Sequence, residues 1–181
     1  MLVWDPEGAD DRVWSLLREN LTDPEIIELG SFIAVTYGQQ RAAGRPRRGP
    51  RSHRRGALVR RLGSTADEIR SLVPDALASW REIRENVLER GVVDQRIKEL
   101  CYRYLANDPE VTDLTPFSDP ERAALEWTDA IAYDSERAGD DLWARLHRSF
   151  SEAELVDLGC AIGFELGQQH WRRTVGLPAR D

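Results

Sequence analysis

Residues 132–170 read AYDSERAGDDLWARLHRSFSEAELVDLGCAIGFELGQQH, and residues 3–41 read VWDPEGADDRVWSLLRENLTDPEIIELGSFIAVTYGQQR. At an offset of 129 the two stretches align without a gap and are identical at 13 of 39 positions. The identities include Trp14/Trp143, Leu17/Leu146, Glu25/Glu154, Leu29-Gly30/Leu158-Gly159 and Gly38-Gln39-Gln40/Gly167-Gln168-Gln169. Other positions change conservatively, as in Ile26/Leu155, Ile27/Val156 and Glu28/Asp157. A match this long without a gap marks an internal repeat, the duplication of one supersecondary unit.

Both copies spell the same local structure. A short helix carries Trp and Leu three apart, and a break follows. Thr22-Asp23-Pro24-Glu25 and Ser151-Glu152-Ala153-Glu154 then place a hydroxyl at the N-cap and a glutamate three residues on. That capping box satisfies two orphan backbone donors and opens a long helix. In the second copy the inner stripe is Leu155, Leu158, Gly159, Ile162, Gly163, Leu166, Gly167 and His170, the spacing of one helical face. Gly159, Gly163 and Gly167 stand four apart, matched by Gly30, Ala34 and Gly38. Glycine inside a helix costs about 1 kcal/mol relative to alanine. Close approach of another helix or of a ligand would offset that cost, and helix packing is the simpler of the two.

Between the copies the pattern stays helical. Ser64 or Thr65 caps a short helix with Asp67 and Glu68 in its first turn. Pro74 opens another that carries Ala76, Leu77, Trp80, Ile83, Val87 and Leu88 and stops at Gly91. Asp94 caps the next, with Ile97, Leu100, Cys101, Tyr104 and Leu105 inside, and Asn107-Asp108-Pro109 ends it. Residues 107–117 read as a loop, and Ser118-Asp119-Pro120-Glu121 is a third capping box. No run alternates as a strand would. The expectation is an all-α chain of six to eight helices.

Composition sets the bounds. The chain has 181 residues, 41% hydrophobic, with six Trp and two Cys, enough to bury a core and too apolar for wholesale disorder. No apolar run approaches the about twenty residues of a membrane span, so no membrane is expected as a partner. The opening Met1-Leu2-Val3-Trp4-Asp5 lacks the basic and apolar regions of a secretory signal. Two cysteines are too few for a disulfide framework, which points to the cytoplasm. Net charge is −7, but nine arginines fall between Arg41 and Arg61, and no carboxylate lies between Glu28 and Asp67. Without those nine, 16 basic residues face 32 acidic ones, a balance of −16. Residues 42–61, broken by Pro and Gly, therefore read as a solvated linker. Nucleic acid is not the expected partner: no aromatic is interleaved for stacking, and the acidic remainder repels a polyanion. Lys98, the single lysine, reads as codon bias towards arginine.

These elements, in this order, resemble the carboxymuconolactone decarboxylase family, whose redox branch includes the alkylhydroperoxidase D proteins. The resemblance spans residues 62–178. Its carriers are Val87-Leu88-Glu89-Arg90-Gly91-Val92-Val93-Asp94, Arg96-Ile97-Lys98-Glu99-Leu100, Phe117-Ser118-Asp119-Pro120-Glu121-Arg122-Ala123-Ala124-Leu125-Glu126, and Phe150-Ser151-Glu152-Ala153-Glu154-Leu155-Val156-Asp157-Leu158. It implies an alkylhydroperoxidase D-like helical bundle over 62–178. Residues 1–41 then look like the remnant of a second copy's end, a duplicated C-terminal helix pair joined through 42–61. The redox branch carries a glutamate in a K-E-L segment, a C-x-x-C pair and a following histidine. Glu99 matches the glutamate. The cysteines would fall near Val111 to Leu114 and the histidine near Ser118, and none is present. A dithiol peroxidase needs both a thiolate and a resolving thiol.

The resemblance implies a homo-oligomer acting on a small carboxylated or peroxidic molecule. Glu99 would be the proton-transfer base, Cys101 a weak nucleophile, and His170 an orienting group with Gln168 and Gln169. The residues by themselves leave other readings open. Glu99 can pair with Arg103 on a helix surface, and Cys101 and Cys160 can be small packed hydrophobes. His170 can cap its helix end. The duplicated Gln pair can bind a ligand carbonyl or a neighbouring helix end. His53 and His147 have no partners at metal spacing, so no metal and no cofactor is expected. The alternative function is a non-catalytic oligomeric binding or regulatory module.

Overall fold

Helix starts fall where the sequence places hydroxyl and carboxylate caps. A computed structural model describes residues 11–40 and 65–180. The Arg-rich segment 42–61 lies outside the described residues. Eight α-helices are formed among them: α1 (Asp11–Asn20), α2 (Asp23–Gln40), α3 (Ala66–Arg70), α4 (Pro74–Ile83), α5 (Gln95–Leu105), α6 (Asp119–Tyr133), α7 (Asp140–Ser149) and α8 (Glu152–Thr174). A π-turn over Arg84–Leu88 and 3-10 turns at Pro109–Val111 and Ser135–Arg137 complete the set, and no described residue is in a strand. The fold is all-α, as the periodicity predicts.

The repeat holds at the level of elements. Shifted by 129, the bounds of α1 coincide with those of α7, and α2 begins where α8 begins. The two glutamate boxes are built alike. The Thr22 amide and hydroxyl both donate to Glu25 at 2.7 Å, and those of Ser151 both donate to Glu154 at 2.8 Å. These bonds hold both carboxyls below the ordinary glutamate range, the amide contributing most. Ser118 does the same for Glu121 ahead of α6. Thr65 caps α3, its hydroxyl accepting from the Glu68 amide at 3.1 Å. The Asp94 carboxylate caps α5 by accepting the Arg96 amide at 2.9 Å.

Helix ends are set by backbone chemistry. α4 widens at Ile83 into the π-turn, where the Glu89 amide reaches the Arg84 carbonyl at 2.9 Å. Gly91 then takes φ +126°, a conformation other residues rarely adopt, and stops the helix. Asn107, at φ +60°, turns the chain out of α5 ahead of Pro109.

The chain forms two compact units that interleave along the sequence. The first holds residues 11–37, 65–82 and 167–180, around Ile27, Ala66, Ile69, Trp171, Val175 and Leu177, with Trp14 and Val73 packed against them. The N-terminal helices thus share a core with α3 and the end of α8. The second holds residues 38–40 and 83–166. Its core joins Cys101 and Leu105 of α5, Ala123, Ala124 and Trp127 of α6, Leu142 and Leu146 of α7, and Leu155, Leu158 and Ile162 of α8.

Candidate functional site

Two buried polar clusters, one in each unit, concentrate the charge that folding removes from water. In the second unit it is centred on Lys98, which is fully buried. Its ammonium directs three donors at three acceptors: the Val87 carbonyl at 2.8 Å, the Arg90 carbonyl at 2.6 Å and Asp157 Oδ1 at 2.8 Å. Asp157 Oδ2 accepts the Val92 and Val93 amides at 2.8 and 2.9 Å. The Leu88 carbonyl accepts from Tyr102 Oη at 3.1 Å and Gln95 Nε2 at 2.9 Å. Carbonyls that the end of the π-turn leaves without helical partners are thus met by α5 side chains. Burial pushes the Asp157 carboxyl up, but the Lys98 ammonium and the two amides outweigh it and hold the group below the usual aspartate range. A Cβ on Gly91 would collide with the Asp157 carboxylate, so glycine is required there on two counts. With all three protons engaged, Lys98 has no lone pair to offer as nucleophile or base. The cluster is a staple.

In the first unit the buried charge is Arg70. Its guanidinium lies between the indoles of Trp80 and Trp171, with Cζ 4.3 and 4.2 Å from the ring centroids. Nη2 donates to Gln168 Oε1, and Nη1 stands 3.7 Å from Asp67. A weakly hydrated planar cation suits such a sandwich, each face gaining about 1 kcal/mol or more once desolvated. Arg172, also buried, donates to the Pro178 carbonyl at 2.8 Å and ties down the chain beyond α8.

The residues singled out from the sequence fall in different units. Gln168, Gln169 and His170 lie in the first, Glu99 and Cys101 in the second. Gln168 and Gln169 are buried and His170 is half-buried. The Gln168 carbonyl accepts from the Arg70 guanidinium. Glu99 is half-buried, and Arg103, four residues on, donates to Asp108 at 2.7 Å and Glu110 at 2.6 Å. Cys101 is fully buried beside the Ala124 carbonyl, and burial pushes its thiol up to about 12, so the thiolate is scarce at neutral pH. Cys160 departs from its packed expectation: it is an exposed free thiol. The cause is helical phase, since it stands on the side of α8 opposite Leu155, Leu158 and Ile162. In the loop where the resemblance would put a cysteine pair, Val111 is buried against Leu100 and Leu125. Among the described residues no three His, Cys, Asp or Glu side chains gather to hold a metal ion.

Sequence reasoning passed over Lys98, Asp157, Arg70, Trp80 and Trp171 as a set. The available signal was the single lysine among 25 basic residues, beside the apolar stripe of α5. A compact ammonium with three divergent donors fits where a planar guanidinium does not, so codon bias is the weaker account of it. The sandwich joins residues 10 and 91 positions apart from Trp80 to Arg70 and Trp171, a separation no local pattern spans.

The described residues define an all-α protein built on a duplicated helix pair. Comparison with family models, curated proteins and solved structures finds no match to the chain. No described helix is long and apolar enough to cross a membrane.

Proposed function

We propose that the chain is a carboxymuconolactone decarboxylase-type helical scaffold that works as a non-catalytic, oligomeric binding or regulatory module. One observation carries the reading. The thiol that redox chemistry would use, Cys101, is fully enclosed and pushed up to about 12, with no partner thiol or histidine in residues 111–118. A thiol peroxidase requires the opposite, an accessible thiolate beside a resolving sulfur. The buried lysine, the cation that could serve a carboxylated substrate, is spent on internal partners, and the Gln168 carbonyl on the Arg70 guanidinium. The test is peroxide turnover with a dithiol reductant, for the wild type and for Cys101→Ser. The expected result is no turnover in either, with an oligomer in solution. Turnover that Cys101→Ser abolishes would replace this reading with a peroxidase.

A further inference from the structure

We propose that residues 84–92 form a strap over Lys98 that lifts and reseats as one unit, with the Lys98–Asp157 pair as its latch. The strap opens on the π-turn Arg84–Leu88, which interrupts the helical ladder of α4, a device frequent at functional sites. It ends beyond Gly91, whose φ of +126° breaks the helix. Leu88 is the one buried side chain between residues 84 and 92, whereas α6 buries eight. Few buried apolar side chains and an exposed backbone mark a segment that opens at less cost than global unfolding.

What holds the strap down is polar and converges on few side chains. Its backbone alone reaches the ion pair. The Val87 and Arg90 carbonyls accept from Lys98 Nζ at 2.8 and 2.6 Å, and the Val92 amide donates to Asp157 Oδ2 at 2.8 Å. Two further bonds, from Gln95 and Tyr102, end on the Leu88 carbonyl. The four anchoring side chains belong to α5 and α8, so they stay in place when the strap lifts. The ion pairs Arg84–Glu89 at 2.6 Å and Arg90–Glu85 at 2.9 Å run between residues of the strap and travel with it. Val93, in the core of the second unit, fixes the far end. Because three of the five anchoring bonds rest on one ion pair, they are lost together rather than one by one. Lifting then uncovers an ammonium that is fully buried in the closed state.

Lys98 is the single lysine of the chain, so one side-chain amine reports the strap. The full-length protein is exposed to an acetylating and an alkylating reagent together, and both modifications are located by peptide mass. The wild type should gain acetyl groups on Lys98 while Cys101, fully buried in the core of the same unit, stays unmodified. Acetylation of Lys98 only in step with alkylation of Cys101 overturns the proposal, because opening is then global unfolding. Hydrogen exchange reads the latch. Asp157→Asn removes charge-assisted bonds and should speed exchange of the Val92 and Val93 amides about tenfold or more, leaving the α6 amides unchanged. Unchanged exchange at Val92 and Val93 overturns the proposal as well. Where Asp157→Asn admits the alkylating reagent to Cys101, Tyr102→Phe takes its place. It removes one bond to the Leu88 carbonyl and should speed Lys98 acetylation about threefold. A rate equal to that of the wild type overturns the strap.

Discussion

The two helix pairs of the repeat share their starts, their glutamate caps and most of the thirteen identities, yet they bury different faces. At equivalent positions Ile27 is 2% exposed and Val156 67%, whereas Leu29 is 38% exposed and Leu158 is fully buried. Phe32 stands in water where its counterpart Ala161 is enclosed. Glu28 is an exposed surface charge, while Asp157 anchors the Lys98 staple. One feature is common to both: each copy's glycine admits an indole, Gly30 meeting Trp171 and Gly159 meeting Trp127. Periodicity thus makes both helices, and the neighbours decide which side of each is inside.

Paired substitutions at equivalent positions sharpen that contrast. The largest difference is expected between Asp157→Ala and Glu28→Ala. The first leaves the Lys98 ammonium buried without its counter-ion and should cost about 3–5 kcal/mol in urea denaturation. The second should change stability by about 0.5 kcal/mol or less. Equal losses would mean that the staple carries no more than a surface charge does. Next comes Leu158→Ala, expected to cost about 2–5 kcal/mol by opening a cavity among Trp127, Leu155 and Ile162. Leu29→Ala should cost about 1 kcal/mol or less, since much of that side chain already meets water.

Substitutions at the shared glycines should not differ. The Cβ of Gly159→Ala would stand 3.0 Å from Trp127, and that of Gly30→Ala 3.1 Å from Trp171. Both rings are held in cores, so crowding of about 1–3 kcal/mol outweighs the helix-propensity gain of about 1 kcal/mol. A small net loss is expected in each, with a shift in tryptophan fluorescence. A stabilised variant would show that its ring can yield.

Acid should separate the copies again. Asp157 titrates below the ordinary aspartate value of about 3.9. Its contribution is therefore complete above that value and is lost as pH falls through the lower, folded one. Wild-type denaturation midpoints should drop below about pH 4. Asp157→Asn should be less stable at neutral pH and fall less steeply in acid. The smallest effect is chemical: an alkylating reagent should modify Cys160 in the native protein and reach Cys101 only after unfolding, a ratio of one thiol to two. Native labelling of Cys101 would reopen the redox reading.

Much of the fold is legible in the chain because its causes are local. Thr65, Asp94 and Ser151 each satisfy an amide within three residues, Glu121 satisfies that of Ser118, and Gly91 and Asn107 end helices by their own backbone conformation. The staple and the guanidinium sandwich are not legible, because they join residues 59, 101 and 98 positions apart. Glu99, Cys101, His170, Gln168 and Gln169 could be picked out as polar or reactive groups on inner stripes. What each of them faces is a property of neighbouring helices.

The amino-acid sequence by itself determined where helices begin and end, that the first and last pairs are copies, and that the chain is all-α, because capping and periodicity act over a few residues. The tertiary structure alone decided that Lys98 is a buried staple, that Arg70 is enclosed by two indoles, and that Phe32 faces outward while Ala161 faces in. Burial depends on what packs against a face. Two copies of one pattern, given different neighbours, cannot reveal that from their own residues.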